Sequence, residues 1–250
     1  MFWGCASGSQ RKALQRLAEP NVMISFATHN NQPWDGIDRL FIDCGGYSML
    51  KAGKDHPDKA EYQEYLETVQ PEIYALPDYP CEPDLLEEKG RSVQDHQRLT
   101  TEAHVDMLEA DPPGQPLSVL QGWETAEYLT HLDDLRDHGA VTDYVGIGSV
   151  CRRHAESEIR DVILTVRDAL PDSTKLHAFG VKTSVLGLTG VMGTLTSADS
   201  LSYGFREQHT ETWRSGDRWK RVAYHYLNMK REVDLLQPDD PAQTTLAEVV

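Results

Sequence analysis

The chain lacks any run of about 18 apolar residues, which excludes a membrane-spanning helix of ordinary length. It is poor in cysteine: Cys5, Cys44, Cys81 and Cys151 stand far apart, with no C-x-x-C pair. That spacing argues against a zinc ribbon and a disulfide-framed secreted scaffold, and free thiols in a reducing cytoplasm are expected. No G-x-G-x-x-G follows an early strand, which argues against a dinucleotide site. Internal repeats and low-complexity tracts are absent. The opening residues, MFWGCASGS, have neither the basic start nor the long apolar stretch of a signal peptide, so a cytoplasmic location is expected. Lysine is scarce as well, with 9 lysines against 15 arginines.

What is present suits a globular chain. Of 250 residues, 39% are hydrophobic and 26% charged, enough apolar surface for a core. The formal net charge is −16 and the sequence pI ≈ 4.9. Such a field repels phosphate, so total charge taken alone opposes a nucleic-acid partner. The acid excess is rich in Asp, and arginine exceeds lysine. Together with few large apolar side chains, this reads as a chain built for high salt, where charge is screened within about 3 Å at 1 M. An ordinary acidic cytosolic protein is the other reading. In either case the distribution of charge decides, not its sum.

Short apolar runs alternate with amphipathic stretches. Strands are predicted at Met1–Gly4, Val22–Phe26, Leu40–Asp43, Ile73–Leu76, Leu117–Leu120, Tyr144–Ile147, Leu176–Phe179 and Ser197–Leu201. Helices are predicted at Ser9–Ala18, Asp58–Val69, Leu85–Glu109, Thr125–His138, Glu156–Ala169, Ser184–Met192 and Asp217–Leu236. The last turns Trp219, Val222, Ala223, Tyr226 and Val233 toward the core. Eight strands mostly separated by helices imply a closed (β/α)8 barrel over residues 1–236, with a doubly wound open sheet as the competing fold. The acidic segment 237–250 is expected to be a loose tail.

A barrel of this kind carries its chemistry at the C-terminal ends of its strands. Those ends read Asp43-Cys-Gly-Gly-Tyr47, Pro77-Asp78-Tyr-Pro80, Gln121-Gly-Trp123, Gly146-Ile-Gly148-Ser149, His177-Ala-Phe179-Gly180 and Ser197-Ala-Asp199-Ser200. A carboxylate ending an apolar strand is costly to bury unless it is paired or used. One such acid, Asp78, can instead cap the next helix. Three together, with an amide, glycines and aromatics, point to a shared site at one mouth. Gly45-Gly46 lets backbone N–H groups approach a ligand, or simply makes a turn. Singly, Tyr47 and Phe179 would read as core aromatics.

In this order the motifs resemble the tRNA-guanine transglycosylase superfamily. Asp43-Cys-Gly-Gly-Tyr-Ser48 is similar to its Asp-Ser-Gly-Gly-Phe/Tyr-Gln motif, with Cys44 for Ser and Ser48 for Gln. Val119-Leu-Gln-Gly122 is similar to its Val-Gln-Gly strand, Gly146-Ile-Gly-Ser149 to Gly-Gly-Leu, Phe179-Gly-Val181 to Met-Gly-Val/Ile, and Ser197-Ala-Asp-Ser200 to Phe-Asp-Cys. The tRNA enzymes carry a Cys-x-Cys-x-x-Cys…His zinc site after the last strand, whereas no cysteine follows Cys151 here. At this length no appended RNA-binding domain is expected. A short, zinc-free chain is most similar to the DpdA-type branch, which inserts 7-deazaguanines into DNA.

The resemblance implies exchange of guanine for a preQ0-like base without metal or cofactor. Asp199 would be the nucleophile and Asp43 the general acid and base. Asp78 would accept from N1–H and the exocyclic amine, while Gln121 and the Gly148 N–H would bind the carbonyl. Gly45 and Gly46 would line the base site, and Tyr47 and Phe179 would sandwich the ring. For the phosphates, Arg206, Arg214, Arg218, Lys220, Arg221, Lys230 and Arg231 crowd one segment, and Arg152-Arg153-His154 follows the sixth strand. The competing reading of the C-terminal set is a solvated helix face. The expected partners are DNA, or tRNA, with a free base and a helper ATPase or helicase. Alternatives are the same exchange on tRNA, a catalytically silent nucleic-acid-binding subunit, and a nucleoside hydrolase-like barrel that uses water as acceptor.

Overall fold

A computed structural model of the chain describes residues 1–28, 31–54, 57–153, 155–208 and 217–236. The expected tail, Arg214 and His154 lie outside the described residues. Eight parallel strands close into a barrel: β1 (Phe2–Cys5), β2 (Asn21–Ser25), β3 (Arg39–Asp43), β4 (Ile73–Ala75), β5 (Gln115–Leu120), β6 (Tyr144–Ile147), β7 (Lys175–Ala178) and β8 (Ser197–Ser200). Closure comes from β1, which pairs β2 on one edge and β8 on the other, with Phe2 in register with Asp199. The fold is therefore the (β/α)8 barrel implied by the alternation.

Alternation along each strand sorts the side chains into two cores. Phe2, Met23, Phe41, Ile73, Leu117, Val119 and Tyr144 fill the interior. Trp3, Val22, Ile24, Leu40 and Ile42 point outward beneath the helices. Gly146 faces inward beside the rings: a Cβ there would meet Phe179 at 2.5 Å and Leu117 at 2.6 Å. The interior is packed with side chains below a polar mouth.

The helices begin where capping chemistry allows. Ser7 caps α1 (Gly8–Arg16), and Asp58 accepts from the Ala60 and Glu61 amides at the start of α3 (Lys59–Val69). The stretch predicted as one helix over 85–109 is two, α4 (Pro83–Lys89) and α5 (Val93–Ala110). Gly90, left-handed at φ 62°, ends the first, and a Ser92–Asp95 capping box starts the second. The 184–192 stretch likewise divides into α8 (Thr183–Leu186) and α9 (Val191–Thr194), with Gly190 at φ 88° before the latter. Two short helices carry no amphipathic signal long enough to read: α2 (Gly46–Lys51) and α10 (Ser202–Gln208). The remaining helices are α6 (Thr125–Asp137), α7 (Glu156–Ala169) and α11 (Arg218–Asp234).

Helix α11 seals the barrel next to α1 and α10. Val222, Ala223, Tyr226 and Val233 are buried as its periodicity predicts, and Trp219 is partly buried against the same core. Tyr226 and Tyr203 close edge-on around Trp3, at centroid distances of 4.9 and 6.0 Å. Below them, buried Glu19 accepts from Tyr226 and from Lys230 at 2.6 Å. None of the described helices is long and apolar enough to cross a membrane.

Candidate active site at the barrel mouth

A cavity of ≈ 190 Å³ opens where the strands end. At roughly 30 Å³ per liquid water, it holds one small planar ring system. Asp43, Asp78 and Asp199 all line it, and so does Gln121. Gly45, Gly46, Tyr47, Gly148 and Phe179, also expected at the mouth, line the same cavity. They come from six strand ends, and barrel closure alone brings them together.

Asp199 sits on β8, where its Oδ1 accepts from the Gly180 N–H at 2.7 Å and from His177 Nε2 at 3.3 Å. Both donors converge on one oxygen. Among the described residues no hydrogen bond reaches Oδ2, which is thus available to an occupant of the cavity. Gly180 turns at φ 60° to aim its amide, and a Cβ there would strike Cys151 at 2.8 Å. His177 is fully buried, and burial lowers its pKa, so the ring is neutral and donates through Nε2. Its Nδ1 lies 2.5 Å from Ser197 Oγ, which in turn lies 2.5 Å from Tyr144 Oη. A buried Tyr–Ser–His relay therefore orients this carboxylate from below.

The other two acids are tuned by removal from water and by each other. Burial raises the pKa of Asp43 to about 6, and the charge of Asp199 adds to the rise. Burial raises Asp78 to about 7, with Asp43 and Glu82 contributing, while hydrogen bonds from Cys44 and Gln121 oppose the rise. Cys44 Sγ donates to Asp78 Oδ1 at 2.9 Å, and Gln121 Nε2 donates to Asp78 Oδ2. Gln121 is itself clamped. Its N–H donates to His131 Nδ1 at 2.9 Å, its carbonyl accepts from Gln97 Nε2 at 2.7 Å, and its side-chain carbonyl accepts from Ser149 Oγ at 2.7 Å. Gly148 must lack a side chain, because a Cβ there would fall on the Gln121 amide.

The arginines divide. Arg152 is exposed at the rim, stacked 5.1 Å over the Tyr47 ring and 3.5 Å from Asp84. Arg153 is not a presented cation: it is 6% exposed. Its guanidinium donates to the Trp123 carbonyl and to Tyr128 Oη, and stacks 4.5 Å over Trp123. It braces the loop instead. Arg206 pairs with Glu232 at 3.0 Å, on a groove separate from the cavity. Arg218 starts α11 beside Ala6 and Ser7, just past the mouth end of β1, and Arg221 follows one turn on. Lys230 reaches Glu19, which precedes β2 at the opposite end of the barrel. Of the described C-terminal basic residues, Arg206 lies on α10 and the others are spread along α11, with Arg218 near the mouth and Lys230 at the opposite end.

Glu82 and Cys151 carry no signal in the sequence, while Ser149 and His177 stand in the strand-end motifs without a role that the motifs reveal. No curated protein matches the chain. A family model described as DpdA, "DeoxyPurine in DNA protein A", matches residues 32–218, and so spans Asp43, Asp78, Gln121 and Asp199. That match covers well over half of the 250 residues, and the chain belongs to the DpdA family.

Proposed function

We propose that the chain is a transglycosylase that replaces guanine in DNA with a 7-deazaguanine. The observation that carries this reading is Asp199, held through one oxygen with the other turned to a ring-sized cavity walled by Asp43 and Asp78. In the first half-reaction Asp199 Oδ2 attacks C1′ of the deoxyribose. The C1′–N9 bond breaks, and guanine leaves with a proton from Asp43. In the second half-reaction ionised Asp43 takes the N9 proton of the incoming base. That nitrogen attacks C1′ and expels Asp199. Two inversions give net retention, as in other double displacements through a carboxylate. A pKa of about 6 lets Asp43 serve as acid and then as base near neutrality.

Asp78 supplies two acceptor oxygens for N1–H and the exocyclic amine, and the second Nε2 hydrogen of Gln121 meets the carbonyl; the Gly148 N–H, expected to join it, instead donates to the Leu120 carbonyl at 2.9 Å, so Gly148 serves by its lack of a side chain. Tyr47 and Phe179 would stack on the ring, a contact worth about 1–3 kcal/mol per base. The target nucleotide has to leave its helical stack to reach the cavity. DNA as the polymer follows from the family. The test is incubation with labelled guanine and separate DNA and tRNA pools. Label entering DNA is expected. Label entering tRNA alone would move the activity to the other polymer, and label in neither would leave a binding subunit.

A further inference from the structure

The cavity contains a fourth carboxylate that base exchange leaves without a task. Glu82 is 2% exposed and lines the wall. It occupies the N-cap of α4 yet makes no side-chain capping bond. Its carboxylate instead turns inward, 3.1 Å from Ser149 Oγ. Among the described residues no cation lies within ion-pair distance of it: Arg153, whose charge acts on it, is bonded to Trp123 and Tyr128. A buried carboxylate without a directly bonded cation is costly to keep for packing alone. The lining as a whole has the same bias: four carboxylates and, among the described residues, no Lys, Arg or His.

The place of Glu82 relative to a bound base follows from a chain of contacts. Gln121 Nε2 donates to Asp78, and Ser149 Oγ lies 2.7 Å from Gln121 Oε1 and 3.1 Å from Glu82 Oε2. The order along the wall is therefore Asp78, Gln121, Ser149, Glu82. Around a guanine-like ring the order is exocyclic amine and N1–H, then the 6-carbonyl, then position 7. With Asp78 on the amine edge and Gln121 on the carbonyl, position 7 comes next, against Ser149 and Glu82.

We propose that Glu82 reads the substituent at position 7, and that the incoming 7-deazaguanine carries there a hydrogen-bond donor, such as a primary ammonium on a one-carbon arm. This rests on the base-exchange reading of the site. A nitrile offers only a lone pair and would face carboxylate oxygens. An ammonium supplies donors and a counter-charge in direct contact. Burial holds the Glu82 carboxyl above its usual range, and a cation beside it favours the ionised form that accepts best. The preQ0-like nitrile implied by the resemblance is thereby exchanged for an amine-bearing base.

The test compares 7-aminomethyl- and 7-cyano-7-deazaguanine on the full chain, by calorimetric binding of the free bases and by competitive incorporation into DNA. Binding of the aminomethyl base about ten-fold tighter or more is expected, a difference suited to one charge-assisted bond. Glu82→Gln is expected to narrow the ratio to within about three-fold, whereas Glu82→Asp keeps the preference in part. Equal affinity of the native chain for the two bases overturns the proposal without recourse to any variant, as does an unchanged ratio in Glu82→Gln. Tighter binding of the aminomethyl base without any incorporation sinks the exchange reading and leaves the Glu82 assignment standing. Exchange of labelled guanine with equal uptake of both deazaguanines does the reverse.

Discussion

At the residue scale, the three aspartates have separable signatures. Asp199→Asn keeps an acceptor for the Gly180 amide but removes the attacking oxygen. Guanine exchange is expected to fall below detection while the circular dichroism spectrum is unchanged, and exchange persisting in this variant would remove the assigned nucleophile. Asp43→Asn is expected to lose about 10²–10⁴-fold in rate, the usual weight of a positioned acid and base. Asp78 gives a pH signature. Only its ionised form accepts from both edge donors, and its pKa is raised to about 7. Base kcat/KM is therefore expected to fall below about pH 7, by roughly ten-fold per unit. Asp78→Asn should flatten that limb and weaken base binding by about 1–3 kcal/mol. A limb of the same slope in the variant would assign the titration to another group.

At the scale of elements, the site depends on turns more than on the strands beneath them. The turn after β6 passes Gly148 under the Gln121 amide, and the turn after β7 aims the Gly180 N–H at Asp199. Gly148→Ala pushes a methyl into that amide, so a KM for the base raised about ten-fold or more is expected, with the fold retained. The single-turnover rate with saturating base checks it, because a lost chemical step would lower that rate as well. Most elements were legible from periodicity, as with the helix Glu156–Ala169 and the strand Tyr144–Ile147. The failures occurred at glycines. The pattern over 85–109 continues through Gly90 because apolar spacing records which face is buried. It does not record where one residue turns left-handed. Helix α2 starts at Gly46, inside the very motif read as a ligand loop, and is too short for its period to show.

At the scale of the whole molecule, two raised carboxylates make stability depend on pH in a defined direction. Asp43 and Asp78 have native pKa values above those of an unfolded chain, so the native state binds more protons between about pH 4 and pH 7. Their contribution is full below about pH 4 and is lost as pH rises through about 6 and 7. Asp43→Asn or Asp78→Asn is thus expected to raise Tm relative to the native chain at pH 8 and to change it little at pH 4. Equal shifts at both would show that ionisation is not the cause. The arginines make a second contrast. Arg152→Glu should weaken DNA binding and reduce its salt dependence, as loss of a rim phosphate contact does. Arg153→Gln should lower stability, since its bonds to Trp123 and Tyr128 are internal. At the far end, Lys230→Met leaves Glu19 buried beside Tyr226 without its cation, with an expected loss of about 1–3 kcal/mol read by denaturant unfolding.

The amino-acid sequence by itself determined the barrel and the roster of its mouth. Eight apolar runs broken by amphipathic stretches have few other ways to bury their faces, and a polar residue ending such a run must emerge at one rim. Asp43, Asp78, Gln121 and Asp199 were legible for that reason. Only the tertiary structure decided which side chains turn toward the cavity and which turn away. Glu82 carries no signal in the sequence and points inward; Arg153 reads as a phosphate contact and is buried; His177 reads as a strand residue and carries Asp199. Each of these directions depends on partners 19 to 67 positions away, such as Gly180 for Asp199 and Ser149 for Glu82. Periodicity is a local property, whereas the burial and pairing of a polar side chain are settled by whatever the closed sheet brings beside it.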